Sequence, residues 1–249
     1  MKPIQVLRPI KRNIERALGI RILKKLPRGL DFVEDLKQFF PTQEKIIILD
    51  VGANIGQSAR PLANVFRSAE IHCFEPSKEN YKVLTQEIRG DKNIYAYQFA
   101  VGDTSENKLL LLESHPTAHR IIENNQDSGV TELVQTITLD DFCKSHNIDR
   151  VNILKIDTEG YDLKVLQGIT ALLSKGSVDV IHCEAGMSRT NETHVPFGDI
   201  HEFLIHYGYF LFGLYEQMWE FKLGKPYLRR TNVTFISPGL SGENQKQPR

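Results

Sequence analysis

The sequence predicts an α/β fold: a doubly wound, mostly parallel sheet with an N-terminal helical extension and an antiparallel hairpin insertion. Three observations predict it. From Lys45 onward, short apolar β-branched runs alternate with amphipathic segments, the rhythm of a parallel sheet with right-handed crossovers. Several of these runs end in an acid or a glycine turn, as Ile46–Asp50, Val151–Asp157 and Val178–Glu184 do. The rhythm breaks once, over residues 107–138, where two strand-like runs flank a long polar stretch. The chain's 249 residues, 41% hydrophobic and 25% charged, suffice for one large domain with a full core. The expected boundaries are 1–44 for the extension, 45–238 for the domain and 239–249 for a polar tail.

The extension is basic. Residues 1–28 hold nine Lys/Arg and a single acid, Glu15, a net of +8 that leaves −8 for the rest of the chain. Ile10, Ile14, Leu18 and Ile22 fall at helical spacing within residues 10–26. A helix packed on the domain is the preferred reading, and peripheral contact with an anionic membrane surface is the alternative. Asp31–Phe40 reads as a second short helix stopped by Pro41. No uninterrupted apolar stretch suggests a leader or a spanning helix, and Cys73, Cys143 and Cys183 lack metal-type spacing, so a reduced, cytoplasmic setting is expected. Overall net charge is zero, which gives no reason to expect a nucleic-acid partner.

The first strand runs into Asp50-Val-Gly-Ala-Asn-Ile-Gly56, and a helix is expected over 54–65. Glycines at 52 and 56 let backbone approach a ligand that side chains would hold off. Glu75 ends the second strand, Ile71–Glu75, 25 residues after Asp50, near the spacing at which an acid meets a ribose diol. The turn lacks two glycines of the dinucleotide fingerprint, where Asn54 and Gln57 stand instead, and no phosphate-loop Gly-Lys follows. An acid before the turn and Asn in place of the middle glycine suit a ligand with a nucleoside and an amino acid but no pyrophosphate: S-adenosylmethionine (SAM). An ordinary βα turn with no ligand is the bland alternative.

Ser77 caps a helix to about Arg89, and Ile94–Val101 is the third strand. Lys108–Glu113 and Glu132–Leu139 are the insertion strands. The loop between them, residues 114–131, carries His115, His119 and Arg120 and reads as a solvated loop or a substrate lid. A short helix from Leu139 precedes the fourth strand, Val151–Asp157. A helix over 162–173, the fifth strand Val178–Glu184, a helix over 199–206 and strands near 209–214 and 232–236 complete the domain.

Five motifs in this order, Asp50–Gly56, Phe74-Glu-Pro76, Ala100-Val-Gly-Asp103, Thr138–Phe142 and Leu154-Lys-Ile-Asp-Thr-Glu-Gly160, resemble the FkbM-type SAM-dependent methyltransferases. The resemblance implies a seven-stranded class I methyltransferase sheet and O-methylation of a hydroxyl on a sugar, glycan or small natural product. It also implies that Asp50, Gly52, Asn54 and Gly56 line the methionine end of SAM, that Glu75 holds the ribose, and that Ala100, Val101 and Asp103 border adenine.

Strand carboxyl ends carry the chemistry in open α/β sheets, so Asp157, Glu159 and Glu184 are the candidate catalytic residues. Their roles are general base or hard-metal ligand; Asp157 and Glu184 are the metal candidates, and carboxylates suit Mg²⁺ or Ca²⁺. Glu159 could instead cap the following helix, Lys155 could pair with an acid inside the sheet, and His182 could be an ordinary satisfied strand histidine. Methylation of a protein or nucleic acid, or a non-catalytic SAM-binding module, are the competing functions. The Asp157-Thr-Glu-Gly segment lacks the prolines and aromatic residue common in nucleic-acid amino-methylation motifs.

Overall fold

The computed structural model describes residues 14–20, 27–41, 44–122, 129–188, 191, 193–219 and 226–242. A seven-stranded sheet forms the centre. In chain order its strands are β1 (Ile47–Val51), β2 (Glu70–Phe74), β3 (Ile94–Tyr97), β8 (Val151–Ile156), β9 (Val178–Gly186), β10 (Phe210–Trp219) and β11 (Leu228–Ile236). Their spatial order is β10-β11-β9-β8-β1-β2-β3. The pairs from β9 through β3 are parallel, and β11 runs antiparallel between β9 and β10. A second sheet, β4 (Ala100–Val101), β5 (Asn107–Leu112), β6 (Arg120–Ile122) and β7 (Val130–Ile137), has the order β4-β7-β5-β6.

β1 shows why the centre is so apolar. Leu49 and Val51 face one packed layer, and Ile48 faces the other. The first layer holds α4 (Leu139–Ser145), α5 (Asp162–Gln167), α6 (Thr170–Ser174) and α7 (Phe197–His206) through residues such as Phe142, Val165, Leu173 and Leu204. The second holds α1 (Phe32–Leu36), α2 (Ala59–Val65) and α3 (Lys78–Glu87) through Leu36, Leu62 and Leu84. Period-two alternation therefore disappears in these strands because both faces are dry. Cys73, Cys143 and Cys183 are buried free thiols within these layers, where each packs as a small hydrophobe.

Several expected boundaries move, each for a local reason. The helix after the glycine turn begins at Ala59 rather than 54, because Asn54 (φ 51°) and Gly56 (φ 92°) take left-handed backbone that no α-helix accommodates. The third strand splits: β3 stays in the main sheet, whereas Ala100 and Val101 pair with Thr136 and Ile137 in the second. The helix over 162–173 breaks at Gly168, where a Cβ would lie 2.0 Å from the Gly102 carbonyl oxygen. The break lets Asp140 accept hydrogen bonds from Ala171 N (2.9 Å) and Leu172 N (3.3 Å) at the start of α6. The 114–131 loop contains an unforeseen edge strand, β6, paired antiparallel with β5. β9 continues two residues beyond Glu184 because β11, itself longer than expected, pairs with it to Gly186. Residues 238–241 form a final helix, α8 (Pro238–Ser241), capped by Ser237, at the start of the expected polar tail; residues 243–249 lie outside the described residues.

The extension is anchored at its second helix. Asp31 accepts a hydrogen bond from Glu34 N (2.9 Å), capping α1, and Tyr215 donates to Asp35 Oδ2 (2.9 Å). Residues 14–18 are helical, with Ile14 43% and Leu18 65% exposed. Ile10 and Ile22 lie outside the described residues. Among the described residues, no helix is long and apolar enough to cross a membrane.

Candidate active site

A cavity of about 280 Å³ opens at the carboxyl ends of β1, β2, β8 and β9. Its first wall is the turn after β1. Gly52 (φ 75°) sits so close to β8 that a Cβ there would lie 1.9 Å from the Asp157 carbonyl oxygen. Its N–H and that of Ala53 each donate to Phe74 O at 3.0 Å, and Asp157 N donates to Val51 O at 3.0 Å. Three strand ends are thereby locked around one point.

Glu75 joins two turns. Its Oε2 accepts from Asn54 N and its Oε1 from Ser77 N, each at 2.9 Å. Burial raises its pKa to about 7, against the opposing pull of those amide hydrogen bonds. A carboxyl group held this way at a cavity wall is a ready acceptor for hydroxyl donors when ionised.

The structure separates the remaining candidates. Gly52, Asn54, Glu75, Ala100 and Val101 line the cavity, together with Asp157, Glu159 and Glu184. Asp50, Gly56 and Asp103 do not. Asp50 is wholly buried beneath the turn, with Lys155 Nζ 3.3 Å from its Oδ1. Gly56 packs towards Leu84, and Asp103 accepts from Lys164 Nζ at 2.7 Å. Lys155 also reaches Asp157 Oδ2 at 3.4 Å, so it pairs with acids inside the sheet while touching the cavity. His182 is a satisfied strand histidine: it shares a 2.8 Å hydrogen bond with Thr234 Oγ1 and stacks on Phe32 at 3.7 Å. Burial, with Lys155 adding to it, pushes its pKa down to about 3.

Glu159 does not cap α5, since Tyr161 occupies that N-cap position without a side-chain bond. Instead Glu159, itself at φ 51°, faces a residue the sequence did not single out, His194. Gly160 makes this approach feasible: a Cβ there would lie 2.3 Å from the Thr193 carbonyl oxygen. His194 Nε2 lies 2.6 Å from Glu184 Oε2 and 3.8 Å from Glu159 Oε2, and Arg230 forms an ion pair with Glu184 Oε1. Burial holds the His194 pKa below its usual value, against the opposing pull of Glu159. Asp157 is not part of this group.

The hairpin insertion supplies a further wall through Leu110, Thr117, His119 and Ile121, while Phe99, Tyr161, Glu216 and Asn232 complete the lining. His119 and Thr117 lie on the 114–131 loop, whose alternative reading as a substrate lid their place in the lining favours, whereas Glu216 and Asn232 reach the site through the pairing of β10 and β11, which local pattern does not reveal.

The strand order, with one antiparallel strand wedged beside the last parallel one, and a cavity on the glycine turn define the class I methyltransferase type of α/β domain. The chain belongs to the methyltransferase FkbM domain family, which matches residues 50–211. It is 25% identical over 152 residues to the hexuronic acid methyltransferase AglP of Haloferax volcanii, covering 61% of each chain. It is also 25% identical over 160 residues to methyltransferase 1 of Beauveria bassiana, covering 55% of this chain and 64% of that one. The chain thus spans under two thirds of both relatives. Magnesium protoporphyrin IX methyltransferase from Synechocystis PCC 6803, solved with bound SAM, is similar at TM-score 0.48 and 10% identity, over 82% of this chain and 76% of that one.

Proposed function

We propose that this chain binds SAM in the cavity and transfers its methyl group to a hydroxyl of a sugar, glycan or small molecule. The observation that carries the reading is one cavity lined by two sets of residues: Glu75, Asn54, Ala100 and Val101, which suit a nucleoside, and the carboxylates of Asp157, Glu159 and Glu184. We assign the first set to the cofactor and the second to the acceptor. Family membership supports methyl transfer, and the relative named for a hexuronic acid supports a sugar acceptor. The sulfonium carries its own activation. The protein's share is to bring the acceptor oxygen into line, which can supply roughly 7–11 kcal/mol of such a barrier, and to receive the hydroxyl proton.

Glu75 gives a direct test of the cofactor assignment. Glu75→Ala is expected to weaken SAM binding by about 1–3 kcal/mol, the scale of a lost charged hydrogen bond. Calorimetric affinity equal to that of the parent chain would remove Glu75 from the cofactor site. The sign of the pH effect follows from its pKa near 7. Ribose hydroxyls donate to the ionised carboxylate, so binding favours loss of the proton. Affinity should fall as pH drops below about 7, with proton release on binding near that pH, and Glu75→Gln should flatten the profile.

The acceptor assignment is tested at Asp157. Asp157→Asn keeps size and removes charge. With SAM and a panel of hexuronic acids and neutral sugars, turnover on the accepted substrate should fall by about 10²-fold, as losses of a general base do, while SAM affinity changes little. Near-parental turnover would shift the proton acceptor to Glu184 or Glu159. If no hydroxyl compound is methylated while SAM binds normally, an acceptor of another class or a non-catalytic module becomes the better reading.

A further inference from the structure

We infer that Glu159, Glu184 and His194 form a binding site for one first-row divalent cation, with Mn²⁺ as the natural probe, at the part of the cavity assigned to the acceptor. The three side chains each offer one ligand atom, and those atoms lie within 4.8 Å of one another.

The histidine tautomer makes the case. Asn191 is fixed in orientation. Its Nδ2 donates to Arg229 O (3.2 Å), and its Oδ1 accepts from the backbone N–H groups of Thr193 (3.1 Å) and His194 (3.3 Å). That same Oδ1 lies 3.0 Å from His194 Nδ1, so Nδ1 carries the hydrogen. In the neutral ring, Nε2 then presents its lone pair to Glu184 Oε2 at 2.6 Å and to Glu159 Oε2 at 3.8 Å. Lone pairs at such a separation repel unless something positive lies between them. A proton can bridge the nitrogen and one oxygen, but it leaves the third donor unused; a cation satisfies all three.

The surroundings have the form of a ligand support. A histidine that ligates through one nitrogen usually gives its other N–H to an oxygen acceptor, which here is Asn191. Arg230 pairs with Glu184 Oε1, which leaves Oε2 turned towards His194. One imidazole nitrogen and two carboxylate oxygens suit the first-row divalent ions better than Mg²⁺ or Ca²⁺, which prefer oxygen throughout. Glu159 and Glu184 line the cavity, so an ion here would meet the acceptor, and on the proposed methyl-transfer reading it would acidify the acceptor hydroxyl.

The test uses the full chain and Mn²⁺ alone, followed by calorimetry and by the loss of the free-ion paramagnetic resonance signal. One saturable site, tighter than millimolar, is expected. His194→Gln and Glu184→Gln should each weaken it at least about 10-fold, the scale of losing a ligand or its support. Glu184→Gln also strips Arg230 of its ion pair, so His194→Gln, which leaves that pair intact, is the deciding variant, with a thermal melt to verify its fold. Absence of saturable binding below millimolar Mn²⁺, with or without SAM, would overturn the inference. Binding untouched by His194→Gln would do the same. SAM titrations without added metal probe the cofactor reading separately, so failure of either leaves the other standing.

Discussion

Gly52→Ala is expected to unfold the chain or strip it of cofactor binding, at a cost of about 4 kcal/mol or more, the range reserved for disruption of a packed core. Two effects combine. A left-handed backbone costs a Cβ-bearing residue roughly 1–2 kcal/mol. Collision costs more: the new methyl would lie 1.9 Å from the Asp157 carbonyl oxygen and 2.8 Å from its carbonyl carbon. No flexible side chain can yield there, because both atoms are backbone at the end of β8. β8 is held in register with β1, with Leu49 opposite Leu154 and Val51 opposite Ile156. Relief would therefore require prising two central strands apart in a domain whose net stability is typically only about 5–15 kcal/mol. Urea unfolding and SAM calorimetry read both consequences. A variant that melts and binds like the parent would show that the turn can relax, and the geometric basis of the site would fail with it. Gly90→Ala is the contrasting control: Gly90 also has a positive φ (98°), but nothing lies within 4 Å of a Cβ there, so only the small backbone penalty applies.

That contrast marks what could be read from sequence. Gly52, Glu75 and the strand-end acids were visible because glycine and charge stand out against apolar runs such as Ile-Ile-Ile-Leu, and because the βα rhythm fixes which end of a strand carries them. The sheet's centre was legible for the same reason. The boundaries that moved depend on contacts far along the chain: Gly168 stops a helix because it meets Gly102, and Ala100 leaves the main sheet because Thr136 pairs with it. His194 was invisible for the same reason. Nothing in Asn191-Glu-Thr-His194 has strand or helix periodicity, and its meaning comes from Glu159 and Glu184 on other segments. Asp50 shows the opposite case. The family resemblance implied an acid lining the cofactor site, whereas strand pairing buries Asp50 completely beneath the cavity and gives it Lys155 as a neighbour.

Lys155→Met should consequently destabilise the fold by about 3–5 kcal/mol, the cost of leaving a buried charge without its partner. Asp50 and Lys155 are register partners on adjacent strands, and Asp50 is 0% exposed. No described group other than the Lys155 ammonium, 3.3 Å from Oδ1, partners the Asp50 oxygens, so that ammonium is the main compensation for its charge. Burial raises the Asp50 pKa while Lys155 pulls it back down. For Lys155, burial works to lower the pKa, but Asp50 and Asp157 together outweigh it and hold the group above its ordinary range. Methionine removes the cation and keeps most of the volume. In the variant, Asp50 loses the neighbour that pulls its pKa down, so the native state keeps a proton over a wider range than the unfolded chain does. Stability of the variant should then fall as pH rises through that range, and its deficit against the parent should shrink as pH falls. Adding Asp50→Asn removes the stranded charge, so the double variant should recover much of the loss, the non-additivity expected of contacting partners. Urea unfolding of the parent, both single variants and the double variant at two pH values measures all of this. Additive losses, or a Lys155→Met cost below about 1 kcal/mol, the level of an exposed ion pair, would mean that Asp50 is satisfied by some other route and that the pair does not hold β1 to β8.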